Sequence, residues 1–535
     1  MRHLRSICLT LPVLASMAIA APALAGAPSK AAGDAPWPKI AAVPHPGRNG
    51  ALTEREMAMA LAAWQYFVKA TQEETGLANS VLSYPSTTMW DTASYMSALV
   101  AAESLGIIDR QEFDRRMLKL LGTLARLDLF RNELPNKVYD TRDGKKVDYA
   151  NKPGDVGYSA IDIGRLLIWL AIVKERYPYL ANTDDRIPLG WSFCRAVGPD
   201  GNLQGAGLKP DGSVAYYQEG RLGYEQYAAK GFGIWGFRAG EAAKPAPYAT
   251  IDIYGVPVPY DARDPRVFKT QNYVVSESYI LDGIELNFDL PDDRTSGAMV
   301  FSDGWAAEFA QRVYHAQQRR YEETGILTAR SEHQVEGDPF FVYDTVFADG
   351  YAWNTLSPDD RYVPDRAAIA AKAAIGLWAL WKTPYTDKLF EAVSGLYTDS
   401  GFYEGLYETG NGIIPLQTAN NNGIILAALL YKAQGPIFRN LDLGKQLWFT
   451  QGALDGANSQ QRNSRCLPAG PLWYPPPPNP YWPLPPVSKD AFLYCTTLSP
   501  KSWDKGRPAT HVDLAAHNCT PDHPRLACPV RRPAK

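Results

Sequence analysis

Gln72-Glu73-Glu74-Thr75-Gly76-Leu77 and Arg320-Tyr321-Glu322-Glu323-Thr324-Gly325-Ile326 are near copies of one another in distant parts of the chain. Each closes a stretch with helical patterning. Upstream of the first, Thr53 and Glu56 have the spacing of a capping box, and Met57, Leu61, Trp64 and Phe67 recur three or four apart, so a helix is expected from Thr53 to Glu74. A glycine followed by an apolar residue then fits a left-handed helix cap with its hydrophobic contact. A looser copy, Asp399-Ser400-Gly401-Phe402, follows another helical stretch. After each of the first two copies a loop leads to an aromatic-acidic pair, Trp90-Asp91 and Tyr343-Asp344, that opens the next segment. A recurring helix, loop, helix unit is the mark of a repeat architecture.

Working outward, further helices are expected at residues 109–127, 158–175, 224–237, 304–323, 366–381 and 419–432. Those at 366–381 and 419–432 are small or apolar on nearly every side, as buried inner helices are. With weaker candidates this gives roughly ten to twelve helices, the number at which helix pairs close into an (α/α)6 toroid; an open solenoid is the alternative. The expected fold is therefore mainly α, with the barrel over residues 53–435. Residues 240–300 break the pattern. Thr250-Ile251-Asp252-Ile253-Tyr254 and Asn272-Tyr273-Val274-Val275 carry β-branched alternation between Pro and Gly, which reads as a hairpin-bearing insertion over one mouth of the barrel. Residues 436–535 form a Pro-rich appendage, since Tyr474-Pro475-Pro476-Pro477-Pro478 excludes regular helix or central strand.

The 535 residues are 46% hydrophobic and 21% charged, which excludes a disordered or fibrous chain. A net charge of -3 gives no basis for nucleic-acid binding. Arg2, His3 and Arg5, an apolar run from Cys8 to Ala20 and Ala23-Leu24-Ala25 make an export signal, residues 1–25, cleaved near Ala25. Residues 26–52 are a Pro/Gly/Ala tether. No later apolar run reaches the ~20 residues of a membrane span. The mature protein is thus expected in the periplasm or secreted, as a monomer. Cys194 stands alone in the barrel, while Cys466, Cys495, Cys519 and Cys528 crowd the appendage; in an oxidising compartment these four read as disulfides whose pairing the sequence leaves open. A zinc cluster of His517, Cys519, His523 and Cys528 has no standard spacing, so no metal and no cofactor is expected.

Tyr84-Pro85-Ser86-Thr87-Thr88-Met89-Trp90-Asp91, Gly154-Asp155-Val156-Gly157-Tyr158 leading to Asp162, Leu222-Gly223-Tyr224-Glu225-Gln226-Tyr227-Ala228-Ala229-Lys230-Gly231-Phe232, Ser276-Glu277-Ser278-Tyr279-Ile280-Leu281-Asp282-Gly283 and Thr418-Ala419-Asn420-Asn421-Asn422 occur in that order. Together they resemble the bacterial domain-of-unknown-function family 3131 over residues 55–435. That family is distantly similar to the glucoamylase-like six-hairpin glycosidases, including enzymes of β-1,2-glucan. The resemblance implies the same toroid and a carbohydrate-active site.

The residues agree in kind. The helical body holds only His315 and His333, has no Gly-x-Ser-x-Gly elbow and no Cys with a nearby His, which leaves carboxylates as the chemistry. Glycoside hydrolysis uses two, one protonated as acid and one ionised as base or nucleophile. The catalytic candidates are Glu277, Glu225, Asp91, Asp344 and Glu404. Glu277 ranks first as an acid raised by an apolar setting in a loop of the insertion, with Asp91, Asp344 or Glu404 as its partner. Glu225 opens an inner helix, but the related glycosidases carry their Glu one place later, where this chain has Gln226. Asp91 also reads as a helix N-cap, and Asp162, inside an apolar helix, as the partner of a structural Arg. Trp90, Tyr224, Tyr279, Asp282, Tyr343, Trp353, Tyr403 and Asn420 are the candidate substrate contacts. The leading expectation is a glycoside hydrolase acting on a bacterial glucan or exopolysaccharide. A noncatalytic polysaccharide-binding or envelope-assembly factor and a polysaccharide lyase are the alternatives.

Overall fold

Among the described residues, six helices buried on nearly every side stand inside a layer of outer helices. A computed structural model describes residues 47–268, 271–288, 305–438, 449, 453 and 463–468, all within one unit of the chain. The helices in order are α1 (Glu54–Ala70), α2 (Met89–Ser104), α3 (Arg110–Leu124), α4 (Ala160–Arg176), α5 (Ala181–Leu189), α6 (Tyr224–Ile234), α7 (Pro265–Phe268), α8 (Glu277–Leu286), α9 (Trp305–Thr324), α10 (Ala371–Leu380), α11 (Pro384–Val393) and α12 (Ala419–Gln434). The even-numbered ones form the inner ring: α2 packs on α4, α4 on α6, α6 on α8, α8 on α10, α10 on α12, and α12 returns to α2. Outside it, α3 packs on α2, α5 on α4, α9 on α8, α11 on α10 and α1 on α12. The chain is thus a mainly α toroid and not an open solenoid.

Composition explains the ring. Gly231 lies so close to α4 that a Cβ there would sit 2.0 Å from the Gly164 carbonyl oxygen, so a glycine pair lets α4 and α6 touch backbone to backbone. Below this contact Trp169 and Trp235 are fully buried, each contributing about 2–3 kcal/mol by leaving water. The Trp235 indole N–H donates to the Leu167 carbonyl at 2.8 Å.

Several expected boundaries move. Thr53 and Glu56 do form the capping box of α1, but the helix ends at Ala70 because Thr71 turns extended and its hydroxyl bonds the Phe67 carbonyl at 2.6 Å. Gly76, at φ +70°, belongs to the turn that follows. Gly325, at φ +74°, does cap α9, its N–H donating to the Tyr321 carbonyl at 2.8 Å. The third copy is a hairpin turn between Tyr397–Thr398 and Gly401–Phe402 and no helix end. The hairpin expected in residues 240–300 pairs Tyr248–Ile253 with Val256–Asp261, in the place an outer helix would take after α6, and its second strand packs on α9. Residues 277–286 of that supposed insertion are instead the inner helix α8, so Glu277 is on the ring.

Cys194 is not alone. It is bonded to Cys466, which removes one of the four cysteines assigned to the appendage. Arg465 adjoins this link: its carbonyl accepts from Phe193 N–H at 2.9 Å and its guanidinium donates to the Leu189 carbonyl at 2.7 Å. The export signal, most of the tether, Cys495, Cys519, Cys528 and the proline runs lie outside the described residues. Among the described residues no helix is long and apolar enough to cross a membrane.

Candidate active site

The first turns of the six inner helices carry Trp90 and Asp91 (α2), Asp162 (α4), Tyr224 and Glu225 (α6), Glu277 (α8), Lys372 (α10) and Asn420 (α12). Contacts among these residues put the N-termini at one end of the barrel, where the helix dipoles jointly favour negative charge.

Glu277 is the centre. One carboxylate oxygen accepts from the Trp90 indole N–H at 3.1 Å and the Asn420 amide at 2.8 Å. The other accepts from the Ser331 hydroxyl at 3.2 Å and from Lys372 Nζ at 2.5 Å. Burial opposes its ionisation, yet Lys372 and these donors hold its pKa below the ordinary glutamate value. This reverses the expectation of a raised acid: Glu277 is a buried anion with its lone pairs taken, and it fixes Trp90 and Asn420. From the other side Arg165 lies 4.5 Å from the Trp90 ring and donates to Asn420 Oδ1 at 3.0 Å and Ser94 at 2.9 Å.

Asp91 is not the N-cap of α2. That is Thr88, whose hydroxyl accepts from Asp91 N–H at 3.1 Å. The half-buried Asp91 carboxylate accepts from Ser80 at 2.5 Å and Thr88 at 2.9 Å, and burial raises its pKa against these bonds and the charges of Arg165 and Lys372. Asp162 has no arginine partner among the described residues. Its partner is the Ser159 hydroxyl at 3.0 Å, and burial, with the neighbouring Glu219 and Asp91 charges, pushes it up to about 7. Glu219 accepts from the Ala160 N–H at 2.5 Å, at the start of the same helix.

Glu404 is no solvated loop residue. It is buried beside the Thr418 hydroxyl, which donates to it, and burial pushes it up to about 7 although Lys372 favours the anion. Gly405 makes this placement possible: at φ +156° it brings the strand Gly405–Tyr407 onto Ala368–Ala370, where a Cβ would lie 2.1 Å from the Ile369 carbonyl oxygen.

Other candidates are engaged elsewhere. Glu225 is fully buried, bonded to Arg263 at 2.8 Å and to the Leu203 N–H at 3.0 Å. Gln226 caps α6 by accepting from the Gly223 N–H at 2.7 Å. Asp344 lies in a strand and opens no helix; Arg330, Thr355 and the Ala368 N–H occupy its oxygens. Asp282 is paired with Lys230 at 2.6 Å inside the barrel, and Tyr279 is buried beside it. Trp353 packs under Arg320 at 4.6 Å, and the half-buried Tyr403 holds Asn421 through its carbonyl at 2.9 Å. His333 is buried with Nδ1 3.1 Å from the Ser331 carbonyl, and burial holds it down to about 4.

Sequence reading missed Lys372, Glu219, Arg221 and Glu332. Lys372, a lone charge within the apolar run of α10, was the available signal, since such a residue must find a buried partner. Arg221 pairs with Glu332, and its guanidinium lies 4.5 Å from the Tyr224 ring and 5.7 Å from Tyr343.

This chain belongs to the family described as a protein of unknown function, DUF3131, whose model matches residues 58–435. No curated protein matches it. Among solved structures it is similar to the endo-β-1,2-glucanase of Chitinophaga pinensis, solved with sophorotriose and glucose, at 13% identity and TM-score 0.53, covering 78% of this chain and 98% of that one. A candidate glucoamylase of Bacteroides fragilis is similar at 14% identity and TM-score 0.53, covering 78% and 97%. At such identities the likeness is one of fold.

Proposed function

We propose that this protein is an exported glycoside hydrolase acting on a bacterial glucan or exopolysaccharide, with Asp162 as proton donor and Glu404 as the ionised partner. The observation that carries the reading is that Asp162, in the first turn of α4 near Asp91, and Glu404, bonded to the α12 N-cap Thr418, both lie at the N-terminal end of the inner ring, where burial raises each to about 7. Their surroundings differ in the sense the chemistry needs. Glu219 and Asp91 keep a proton on Asp162, whereas Lys372 and the Thr418 hydroxyl favour the Glu404 anion. Asp162 then protonates the departing glycosidic oxygen, and Glu404 activates water or stabilises the sugar cation. Trp90, held by Glu277 and Arg165, supplies a ring face for a pyranose. The Cys194–Cys466 disulfide and the export signal support an oxidising location. Gln226, whose place in the related glycosidases holds a Glu and which would favour a binding factor, serves here as a helix cap, and a lyase would use Tyr and His as acid and base, whereas His333 is buried. Incubation of the mature chain with linear β-1,2-, β-1,3- and β-1,4-glucans and a bacterial exopolysaccharide tests the proposal: new reducing ends with one of them are expected, and none with any would overturn it.

A further inference from the structure

Beside Glu277 lies a corner whose polar groups the protein leaves incompletely bonded. Gly220 and Gly223 bracket a turn that sends Arg221 toward Glu332, and the two form an ion pair with side chains 11% and 18% exposed. Three tyrosine rings surround the guanidinium, with Tyr224 at 4.5 Å, Tyr343 at 5.7 Å and Tyr273 at 5.9 Å. Arg221 Nε–H and the Tyr224 hydroxyl are buried, and neither has a hydrogen-bond partner among the described residues. Tyr224 is only 6% exposed, and the charges that act on its hydroxyl are those of Glu277, Glu332, Arg221 and Arg165, so it faces this corner. Buried donors without partners are costly, about 1–3 kcal/mol each, and mark a place where something else completes the bonding.

We propose that Arg221, Glu332 and Tyr224 form a subsite for one neutral pyranose unit, with Arg221 and Glu332 as its specificity-determining pair. The proposal rests on the glycoside hydrolase reading above and names the substrate class within it. A sugar ring offers adjacent hydroxyls that each donate and accept: Glu332 accepts hydrogen bonds from them, Arg221 Nε–H donates, and the Tyr224 hydroxyl does either. The tyrosine rings suit the apolar face of the same ring. Charge selects a neutral sugar over a uronate. The cations here already have anions, Arg221 with Glu332, Lys372 with Glu277 and Arg165 with Glu285 at 3.6 Å, and the three pairs sum to zero. A uronate carboxylate would meet Glu332 with no uncommitted cation of the corner among the described residues to offset it, so an acidic exopolysaccharide is disfavoured.

Tyr224→Phe is the sharpest probe, because it deletes a buried hydroxyl with no protein partner among the described residues and should not lower the thermal midpoint. On the neutral glucan that the wild type cleaves, Y224F, R221K and E332Q are expected to raise KM about tenfold or more with kcat within about threefold. Calorimetry with β-1,2-, β-1,3- and β-1,4-linked gluco-oligosaccharides and an oligouronate should show a neutral one bound and the uronate not. If the wild type cleaves nothing, the hydrolase reading fails, and the subsite is still judged by the same calorimetry. Unchanged KM and affinity in all three variants, a collapse of kcat at constant KM in E332Q, or preferential uronate binding would overturn the subsite.

Discussion

Lys372 on α10 donates to Glu277 on α8 at 2.5 Å, with both side chains almost wholly out of water. The pair ties two inner helices together beneath Trp90. Two isolated charges at this depth would be untenable, and together they hold the site in one geometry. Lys372→Met strands the Glu277 anion and should cost about 3–5 kcal/mol in chemical denaturation. Combining it with Glu277→Leu should recover much of that loss while activity stays low, since Trp90 and Asn420 lose their anchor. A single K372M variant with unchanged stability would deny the pair this role.

The pH dependence of activity follows from Asp162 and from Glu404, which must be ionised, so that activity should also fall as pH drops below about 7. As proton donor Asp162 works only while protonated, so activity should fall as pH rises through about 7. Because the Glu219 charge helps raise it, Glu219→Gln should move that alkaline limb to lower pH. A pH–rate profile checks both; an alkaline limb unmoved in E219Q would count against Asp162.

Stability has its own sign. Asp162 and Glu404 titrate near 7 in the folded chain but near 4 when unfolded, so between these values the folded state binds more protons. Their contribution is therefore complete below about 4 and is lost as pH rises through about 7. Thermal midpoints of the wild type and of D162N/E404Q, followed from pH 4 to 8, should converge toward low pH and separate in slope across that window.

The Cys194–Cys466 link spans 272 residues of chain, and its loss should cost about 2–4 kcal/mol. The helical ring closes without it. Reduction, or a C194S/C466S variant, should thus keep the helical circular dichroism while amide exchange rises around residues 189–196 and 463–468. Collapse of the helical signal would mean that the disulfide belongs to the core.

What the sequence disclosed was local. The Thr53–Glu56 capping box, the apolar runs of α10 and α12 and the Tyr248–Asp261 hairpin are written in residues a few places apart. Helix α8 was hidden for a physical reason: Ser276 has helical backbone and makes no side-chain cap bond, so Glu277 carries no start signal and sits among strand-like neighbours. The site is assembled from pairs remote in sequence. Arg221 meets Glu332 across 111 residues and Trp90 meets Glu277 across 187, and no periodicity encodes such partners. Asp344 misled because an aromatic-acidic dipeptide looks the same in a strand as at a helix start.

The most direct measurement compares reducing ends released from β-1,2-glucan and the other neutral glucans by the wild type, D162N and E404Q at pH 7, with each variant's fold checked by circular dichroism. Removing a positioned general acid or base typically costs 10²–10⁴-fold in rate, so release by the wild type and a loss of about that size in both variants is the predicted result. Release that persists undiminished in both, or none from the wild type on any glucan, would contradict the assignment of Asp162 and Glu404 as a hydrolytic pair.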